Sequence, residues 1–148
     1  DMGSVKMSQG YAKNLGMNFA IIDKRRYAPN KTQVSHLIGE LDNRDVLIID
    51  DMIDTAGTLV NAAQAAFEKG ARSVIAIATH GVLSGEAIKR LEKSQINKII
   101  ITDTIEMSNK KRIDKLKIVS VSKVFSEAVN RIHKGESVSA LFEFQKGD

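Results

Sequence analysis

The sequence predicts an α/β fold in which a doubly wound, mostly parallel sheet is flanked by helices. Short runs of β-branched residues and leucine, typical of strands buried on both faces, alternate with segments that repeat apolar residues at helical spacing. This alternation is typical of parallel sheets. No internal repeat, low-complexity stretch or Pro/Ser-rich linker interrupts the 148 residues, so we expect a single domain.

The first third of the chain predicts one helix and two strands. Apolar residues from Val5 to Leu15 recur at helical spacing, and Gly16 follows as a terminator. Residues 18–23 predict a short strand, and residues 34–41 predict a second strand that leads back toward the core.

The central unit of the chain is residues 45–70. Residues 46–49 predict a strand buried on both faces, which ends at Asp50 and Asp51. A turn of small residues follows, and apolar residues between positions 59 and 67 then predict a helix that Gly70 ends. The order strand, acidic pair, small-residue turn and helix is suited to holding an anion at a helix N-terminus.

Three further strands are predicted at apolar runs, residues 73–78, 98–102 and 117–121. A helix that begins at Ser84 or Gly85 and continues through Lys93 lies between the first two runs. The last helix is predicted to begin at a capping Ser122 and to continue to His133. Its apolar residues are expected to face inward, namely Val124, Phe125, Ala128, Val129 and Ile132. Residues 137–144 predict a closing strand or turn.

Composition restricts the class of partner. The chain is 43% hydrophobic and 27% charged, which argues against disorder, and it has no cysteine, which excludes disulfides and thiolate catalysis. A net charge of +4 with 5% aromatic residues favours small anionic substrates over nucleic acid. No apolar run approaches the roughly 20 residues of a membrane span. We therefore expect a cytoplasmic protein with no nucleic-acid or membrane partner.

The turn before the central helix has the chemistry of a phosphate cradle. Ala56 and Gly57 leave room for phosphate oxygens to approach main-chain N–H groups, and Thr55 and Thr58 add hydroxyl donors. The positive end of the helix dipole favours the same ligand. An ordinary polar turn with a capping Asp or Thr is the simpler alternative.

The neighbouring carboxylates must serve another part of such a ligand, because they repel phosphate. Asp50 and Asp51 are suited to accepting hydrogen bonds from the vicinal hydroxyls of a ribose ring. The stretch matches neither the G-x-x-x-x-G-K-[ST] pattern nor the G-x-G-x-x-G pattern. A phosphorylated sugar therefore fits these residues best.

The stretch DDMIDTAGT, residues 50–58, resembles the phosphoribosyl-binding loop of type I phosphoribosyltransferase folds, two acids followed by D-T-[AG]-G-T. This version is similar to that of the ribose-phosphate pyrophosphokinase family. Upstream, IIDKRR resembles the catalytic flexible loop of that family, and the segments THGVLSG and TDTI also match it. The resemblance covers nearly the whole chain but only about the C-terminal half of the enzyme. We therefore expect residues 1–148 to be the C-terminal, phosphoribosyltransferase-like domain of a longer two-domain enzyme.

The resemblance implies transfer of the pyrophosphoryl group of ATP to the anomeric hydroxyl of ribose 5-phosphate, with Mg²⁺ as cofactor. By matching position, Lys24 and Arg26 become the catalytic residues, and residues 50–58 bind the sugar phosphate. Asp1 matches a metal ligand of the family. A homo-oligomer regulated by phosphate or ADP is also implied. Because the family's other ATP contacts lie in a half that is not present, we expect the isolated chain to catalyse little.

Two other functions share this fold. A phosphoribosyltransferase would consume phosphoribosyl pyrophosphate together with a nitrogenous base and would need no ATP. A non-catalytic regulatory subunit would bind phosphates only to control its partners. From the residues alone, the basic triplet at positions 24–26 is as consistent with a solvated strand end as with a lid that neutralises the oxygens of a transferring phosphoryl group. His80 is assigned no chemical role.

Overall fold

A computed structural model of the chain describes residues 2–18, 20–28, 31–107 and 113–142, and its side chains over residues 9–18, 20, 39–107 and 113–142. The elements in chain order are α1 (Met2–Leu15), β1 (Ile21–Ala28), β2 (Lys31–Ile38), β3 (Asp45–Ile53), α2 (Gly57–Glu68), β4 (Ser73–Gly81), α3 (Ala87–Lys93), β5 (Lys98–Thr102), β6 (Leu116–Val119), α4 (Ser122–Lys134) and a 3-10 turn (Ser139–Phe142).

The main sheet has four parallel strands in the order β3-β4-β5-β6. Helices α2 and α3 connect β3 to β4 and β4 to β5, as crossovers between parallel strands must. The predicted α/β class with a parallel sheet is therefore confirmed, and the carboxyl ends of neighbouring strands lie along one edge.

The core lies between one face of this sheet and helices α2 and α3. Alternate residues of β4 and β5 line that face and are fully buried, and the helices cover them with leucine and alanine. The buried residues of this layer are Val74, Ala76, Ala78, Ile99 and Ile101 on the strands and Leu59, Ala63, Ala66, Ala87 and Leu91 on the helices. The many alanines allow the helices to approach the strands closely.

Gly70 ends α2 as predicted. Its φ is 86°, and a Cβ at this position would lie 2.4 Å from Asp42 Oδ1. Its carbonyl accepts a hydrogen bond from the Asn43 N–H at 2.8 Å. Only glycine fits this backbone conformation and this contact without strain.

Strand β3 differs from the prediction in length and in burial. It continues through Asp50 and Asp51 to Ile53, because its ladder with β4 is maintained as far as Gly81. It is also only partly buried, since it is the first strand in the order of the four-stranded sheet and, among the described residues, pairs only with β4. An apolar run therefore identified the strand correctly but did not show that it is an edge strand.

The first two strands form a separate antiparallel hairpin, so β2 does not return to the main sheet as expected. The register pairs Lys24 with Val34 and Arg26 with Thr32. The strand predicted at residues 18–23 begins instead at Ile21 and includes the whole basic triplet, which the family resemblance places in a mobile loop. Helix α2 lies close to β2.

The prediction that α4 faces inward was wrong for its four large apolar residues. Val124, Phe125, Val129 and Ile132 are 58%, 63%, 65% and 69% exposed, because no element in the described part of the chain covers that side of α4. The helix begins after Val121 with no side-chain cap, so the prediction of a Ser122 cap was also wrong.

The last described element of the chain is a short turn. Residues 139–142 form a 3-10 turn, consistent with the predicted turn rather than a strand, and residues 143–148 lie outside the described residues. None of the described helices has the length and apolar character that crossing a bilayer requires.

Candidate functional site

Polar side chains collect where the strands of the main sheet reach their carboxyl ends. In open α/β sheets, ligands bind outside this edge. The residues at or near it are Asp50, Asp51, Thr79, His80, Thr102 and Thr104. The turn from β3 to α2 lies beside them.

This turn depends on one residue in a strained conformation. Ala56 is the N-cap of α2 and has a φ of 61°, in the left-handed region that non-glycine residues rarely adopt. Such a conformation costs about 1–2 kcal/mol. Ala56 is nevertheless 5% exposed, so its methyl group packs into the core while the backbone turns into the helix.

The space in front of the helix start is open. A Cβ at Gly57, the first residue of α2, would meet no heavy atom within 4 Å. Thr55 and Thr58 are exposed on either side, and no side chain among those that the structure describes caps the helix. The first N–H groups of α2 therefore have no partner among the described side chains, an arrangement that favours an anion at a helix N-terminus.

The turn is joined to the segment that follows β4 by four hydrogen bonds. The N–H groups of Leu83 and Ser84 donate to the Ile53 and Asp54 carbonyls at 3.0 and 3.2 Å. The Ser84 hydroxyl donates to the Asp54 carboxylate. The Arg90 Nη1 atom donates to the Thr55 carbonyl at 2.8 Å.

The three acids of the turn occupy different positions. Because β3 continues through Asp50 and Asp51, their side chains project to opposite faces of the sheet. The Asp50 Oδ1 atom accepts the Asp51 N–H at 3.0 Å. Asp54 is exposed but bound to Ser84, so one of its oxygens already has a partner.

His80 belongs to a small network of hydroxyl groups. Its Nδ1 atom lies 2.9 Å from Thr104 Oγ1, which in turn lies 3.1 Å from the Thr79 carbonyl oxygen. Thr102 Oγ1 donates to the same carbonyl at 2.7 Å. The network ties the ends of β4 and β5 together and fixes one nitrogen of the imidazole, while the ring stays half-buried beside Met52.

The remaining predicted site residues are placed only in part. Lys24 and Arg26 lie at alternate positions of β1, on the hairpin whose second strand is close to α2. Asp1 lies outside the described residues.

The described residues do not fit a protein-built metal site. Among residues with described side chains, no group of three or more His, Asp or Glu converges on one point. The acids of the turn are directed to different faces or are bound to Ser84, so no step of a reaction is derived through a metal here.

Sequence reasoning missed Ser84 and Arg90 as parts of the site. The sequence pattern indicates only a helix start at Ser84, although this residue lies in the THGVLSG segment that matches the family. Arg90 contacts the turn across 35 positions of sequence, and no local pattern identifies such a contact.

Comparison with known proteins agrees with this geometry. The family model described as phosphoribosyl synthetase-associated domain matches residues 25–143. The chain is 50% identical over 142 residues to the ribose-phosphate pyrophosphokinase of Caldanaerobacter subterraneus subsp. tengcongensis, covering 96% of this chain and 45% of that protein. It is 43% identical to the ribose-phosphate pyrophosphokinase of Campylobacter jejuni over the same shares of the two chains.

A solved structure shows the same fold. The phosphoribosylpyrophosphate synthetase of Mycobacterium smegmatis superimposes with a TM-score of 0.79 at 29% identity, covering 90% of this chain and 43% of that one. The chain spans less than half the length of the relatives it matches. The resemblance seen in residues 50–58 is confirmed: the chain belongs to the phosphoribosyl synthetase-associated domain family.

Proposed function

We propose that this chain is the sugar-phosphate-binding half of a two-domain ribose-phosphate pyrophosphokinase, and that it is the C-terminal half. The complete enzyme would convert ATP and ribose 5-phosphate into phosphoribosyl pyrophosphate and AMP. The family match and the relatives' names support this proposal, and the 45% share of their length supports the division into two halves.

One observation carries the proposal, namely the open start of α2. Thr55, Gly57 and Thr58 are exposed or partly exposed around main-chain N–H groups that no side chain caps. A phosphate monoester bound there would be held by backbone donors and the helix dipole. Asp50 and Asp51, on either side of the carboxyl end of β3, and Asp54 in the turn would then serve the sugar hydroxyls, with Ala56 shaping the start of α2.

The transfer itself needs positioning and charge stabilisation rather than a covalent intermediate. The anomeric oxygen of ribose 5-phosphate attacks the β-phosphorus of ATP, and the bond from that phosphorus to the bridging oxygen of the α-phosphate breaks. AMP leaves with the bridging oxygen, and the hydroxyl proton passes to water. We assign Lys24 and Arg26 to stabilising charge on the equatorial oxygens during this step. Their position on a hairpin whose second strand lies close to α2 supports the assignment.

The nucleotide's metal is Mg²⁺ in this proposal, carried mainly by the ATP phosphates. Mg²⁺ at phosphate-transfer sites is held by one or two carboxylates together with substrate phosphates. Asp1 is the proposed carboxylate ligand. Assembly into a homo-oligomer, and regulation by phosphate or ADP, are part of the same proposal, as is a location in the cytoplasm.

Binding of ribose 5-phosphate to the chain tests the sugar site directly. Titration of ¹⁵N-labelled chain should shift the amide signals of residues 55–59, and ribose without phosphate should shift them much less, because the phosphate supplies most of the contact. Equal shifts with both ligands, or shifts confined to another surface, would contradict the proposal.

Turnover tests the catalytic assignment in the complete two-domain enzyme. Lys24→Ala should reduce AMP formation from ATP and ribose 5-phosphate at least a hundredfold, roughly the effect of removing one preorganised transition-state donor. Ribose 5-phosphate binding should be retained. Turnover of phosphoribosyl pyrophosphate with a nitrogenous base, without ATP, would indicate a phosphoribosyltransferase. Retained binding without turnover in the unaltered enzyme would indicate a regulatory subunit.

A further inference from the structure

We propose that Arg90, with Ser84, is a positioning residue that orients the peptide groups of the anion cradle. The cradle is defined here as the turn of residues 54–58. The inference rests on the proposed function, because it names the residues that prepare that site for a phosphate. Neither residue would touch the substrate.

Arg90 and Ser84 hold two backbone carbonyls of the cradle. Arg90 donates to the Thr55 carbonyl at 2.8 Å, and the Ser84 N–H donates to the Asp54 carbonyl at 3.2 Å. Two consecutive carbonyls of the cradle therefore face the segment that follows β4. The Ser84 hydroxyl also holds the Asp54 side chain.

The planar peptide bond then fixes the direction of the N–H group that follows each carbonyl. In a trans peptide the C=O and the next N–H point in opposite directions from one rigid plane. All described peptide bonds are trans. A Thr55 carbonyl directed at Arg90 therefore directs the Ala56 N–H away from α3, and the Asp54 carbonyl similarly directs the Thr55 N–H. Among the described residues, neither N–H donates to a protein acceptor.

The third step is that Arg90 is attached to a rigid support. Helix α3 is anchored in the core by Ala87 and Leu91, each 0% exposed. Leu83, whose N–H donates to the Ile53 carbonyl beside the cradle, is 1% exposed and has a φ of 50°. Ala56 and Leu83 thus both have a left-handed backbone conformation, each with its side chain in the core. Packing holds both, and Arg90 selects the orientation of the peptide between Thr55 and Ala56.

This role differs from simple attraction of an anion by a nearby cation. Lys93 lies on the same helix, carries the same charge and is exposed, so it is a matched control. Attraction between exposed charges is screened by salt, whereas the orientation of a peptide group is not. Salt therefore separates the two explanations.

The experiment compares Arg90→Ala, Ser84→Ala and Lys93→Ala with the unaltered chain in two measurements. The heteronuclear ¹⁵N–¹H NOE of residues 55 and 56, which reports how rigidly each N–H bond is held, is measured without ligand, and the dissociation constant of ribose 5-phosphate is measured at about 0.05 M and about 0.5 M salt. Arg90→Ala should lower these NOE values and weaken binding about tenfold at both salt concentrations. Ser84→Ala should act in the same direction, and Lys93→Ala should leave both measurements within about twofold of the unaltered chain.

The outcomes distinguish the inference from the function on which it rests. Unchanged NOE values for residues 55 and 56 in Arg90→Ala, or a loss of binding that disappears at high salt, would overturn the inference while leaving the sugar site in place. Failure of the unaltered chain to bind ribose 5-phosphate would overturn the proposed function instead. A circular dichroism spectrum identical to that of the unaltered chain checks that each variant is folded.

Discussion

Helices α2 and α4 have similar apolar patterns in the sequence and opposite surroundings in the fold. Helix α2 buries Leu59, Ala62, Ala63 and Ala66 against the sheet, whereas α4 buries no residue. A periodic apolar face predicts that a helix needs a covering surface. It does not predict whether residues of the same chain supply that surface.

The N-termini of the two helices show the opposite contrast, because the side-chain partners are found at the exposed helix. At α4, the Asp103 Oδ1 atom accepts the Val121 N–H at 2.9 Å, and hydrogen bonds from Ser120 and from this N–H lower the pKa of Asp103. At α2, no described side chain accepts a hydrogen bond from the Ala56 N–H. Neither N-cap residue caps its own helix, but at α4 the Asp103 carboxylate and the Ser120 hydroxyl accept the Val121 and Ser122 N–H groups, whereas no described side chain does so at α2.

The largest expected effect tests the contrast in burial. Leu59→Ala should lower the free energy of unfolding by about 2–5 kcal/mol, because it leaves a cavity between α2 and the sheet. Ile132→Ala, which removes a similar volume from the exposed face of α4, should change it by about 0.5 kcal/mol or less. Urea denaturation of the two variants measures the difference. Equal losses would mean that α4 is covered in solution, for example by a second copy of the chain.

A smaller effect is expected at the sheet that α2 covers. Asn97 Oδ1 accepts the Val74 N–H at 2.8 Å, and Val74 is 0% exposed. Asn97→Ala should therefore cost about 1–3 kcal/mol of stability, the penalty of a buried donor left without a partner. Asn97→Asp keeps the acceptor and is the control. If the denaturation midpoint of Asn97→Ala is as high as that of Asn97→Asp, a water molecule replaces the lost acceptor.

The third prediction tests the open helix start. Gly57→Ala adds a methyl group that meets no protein atom within 4 Å, so stability should be unchanged or slightly raised. The same methyl group enters the space proposed for the phosphate, so ribose 5-phosphate binding should weaken by about tenfold, or about 1.4 kcal/mol. Calorimetric titration measures this loss. Ser122→Ala, at the start of α4, is the control and should bind as the unaltered chain does.

The sequence predicted the type of most elements because each carried a local pattern. The apolar runs of β4 and β5 and the glycine after α2 identified those elements within a few residues. The neighbours of each element were not predictable in the same way. The edge position of β3, the separate hairpin of β1 and β2 and the exposed face of α4 depend on contacts between distant residues.

The site was predictable where a stretch of consecutive residues forms it. Residues 54–58 indicate an anion cradle by their chemistry alone, because small and hydroxyl-bearing residues precede a helix. The left-handed Ala56 was not predictable, since an alanine carries none of the preference that glycine has for this conformation. Ser84 and Arg90 were missed because their contacts with the turn cross 30 and 35 positions.

The smallest expected effect lies at the opposite, amino edge of the sheet, which neither helix start reaches. Hydrogen bonds from Arg72 and Ser73 lower the pKa of Asp45 from 3.8 to about 2. The folded state therefore binds a proton at Asp45 less readily than the unfolded state does. The resulting stabilisation is fully present above pH 4 and is lost as the pH falls toward about 2. Arg72 and Asp45 are both exposed, so water screens the pair and keeps the effect small.

Asp45→Asn should remove this contribution to the pH dependence. Between about pH 4 and about pH 2, the urea midpoint should fall less steeply in the variant than in the unaltered chain. Glu86→Gln is a matched control, because it removes another exposed carboxylate whose pKa is lowered by a neighbouring Lys89. Parallel slopes for Asp45→Asn and the unaltered chain would show that Arg72 and Asp45 are separated in solution. In that case backbone hydrogen bonds, such as the one from the Arg72 N–H to the Arg44 carbonyl at 2.8 Å, would hold the amino edge without help from this ion pair.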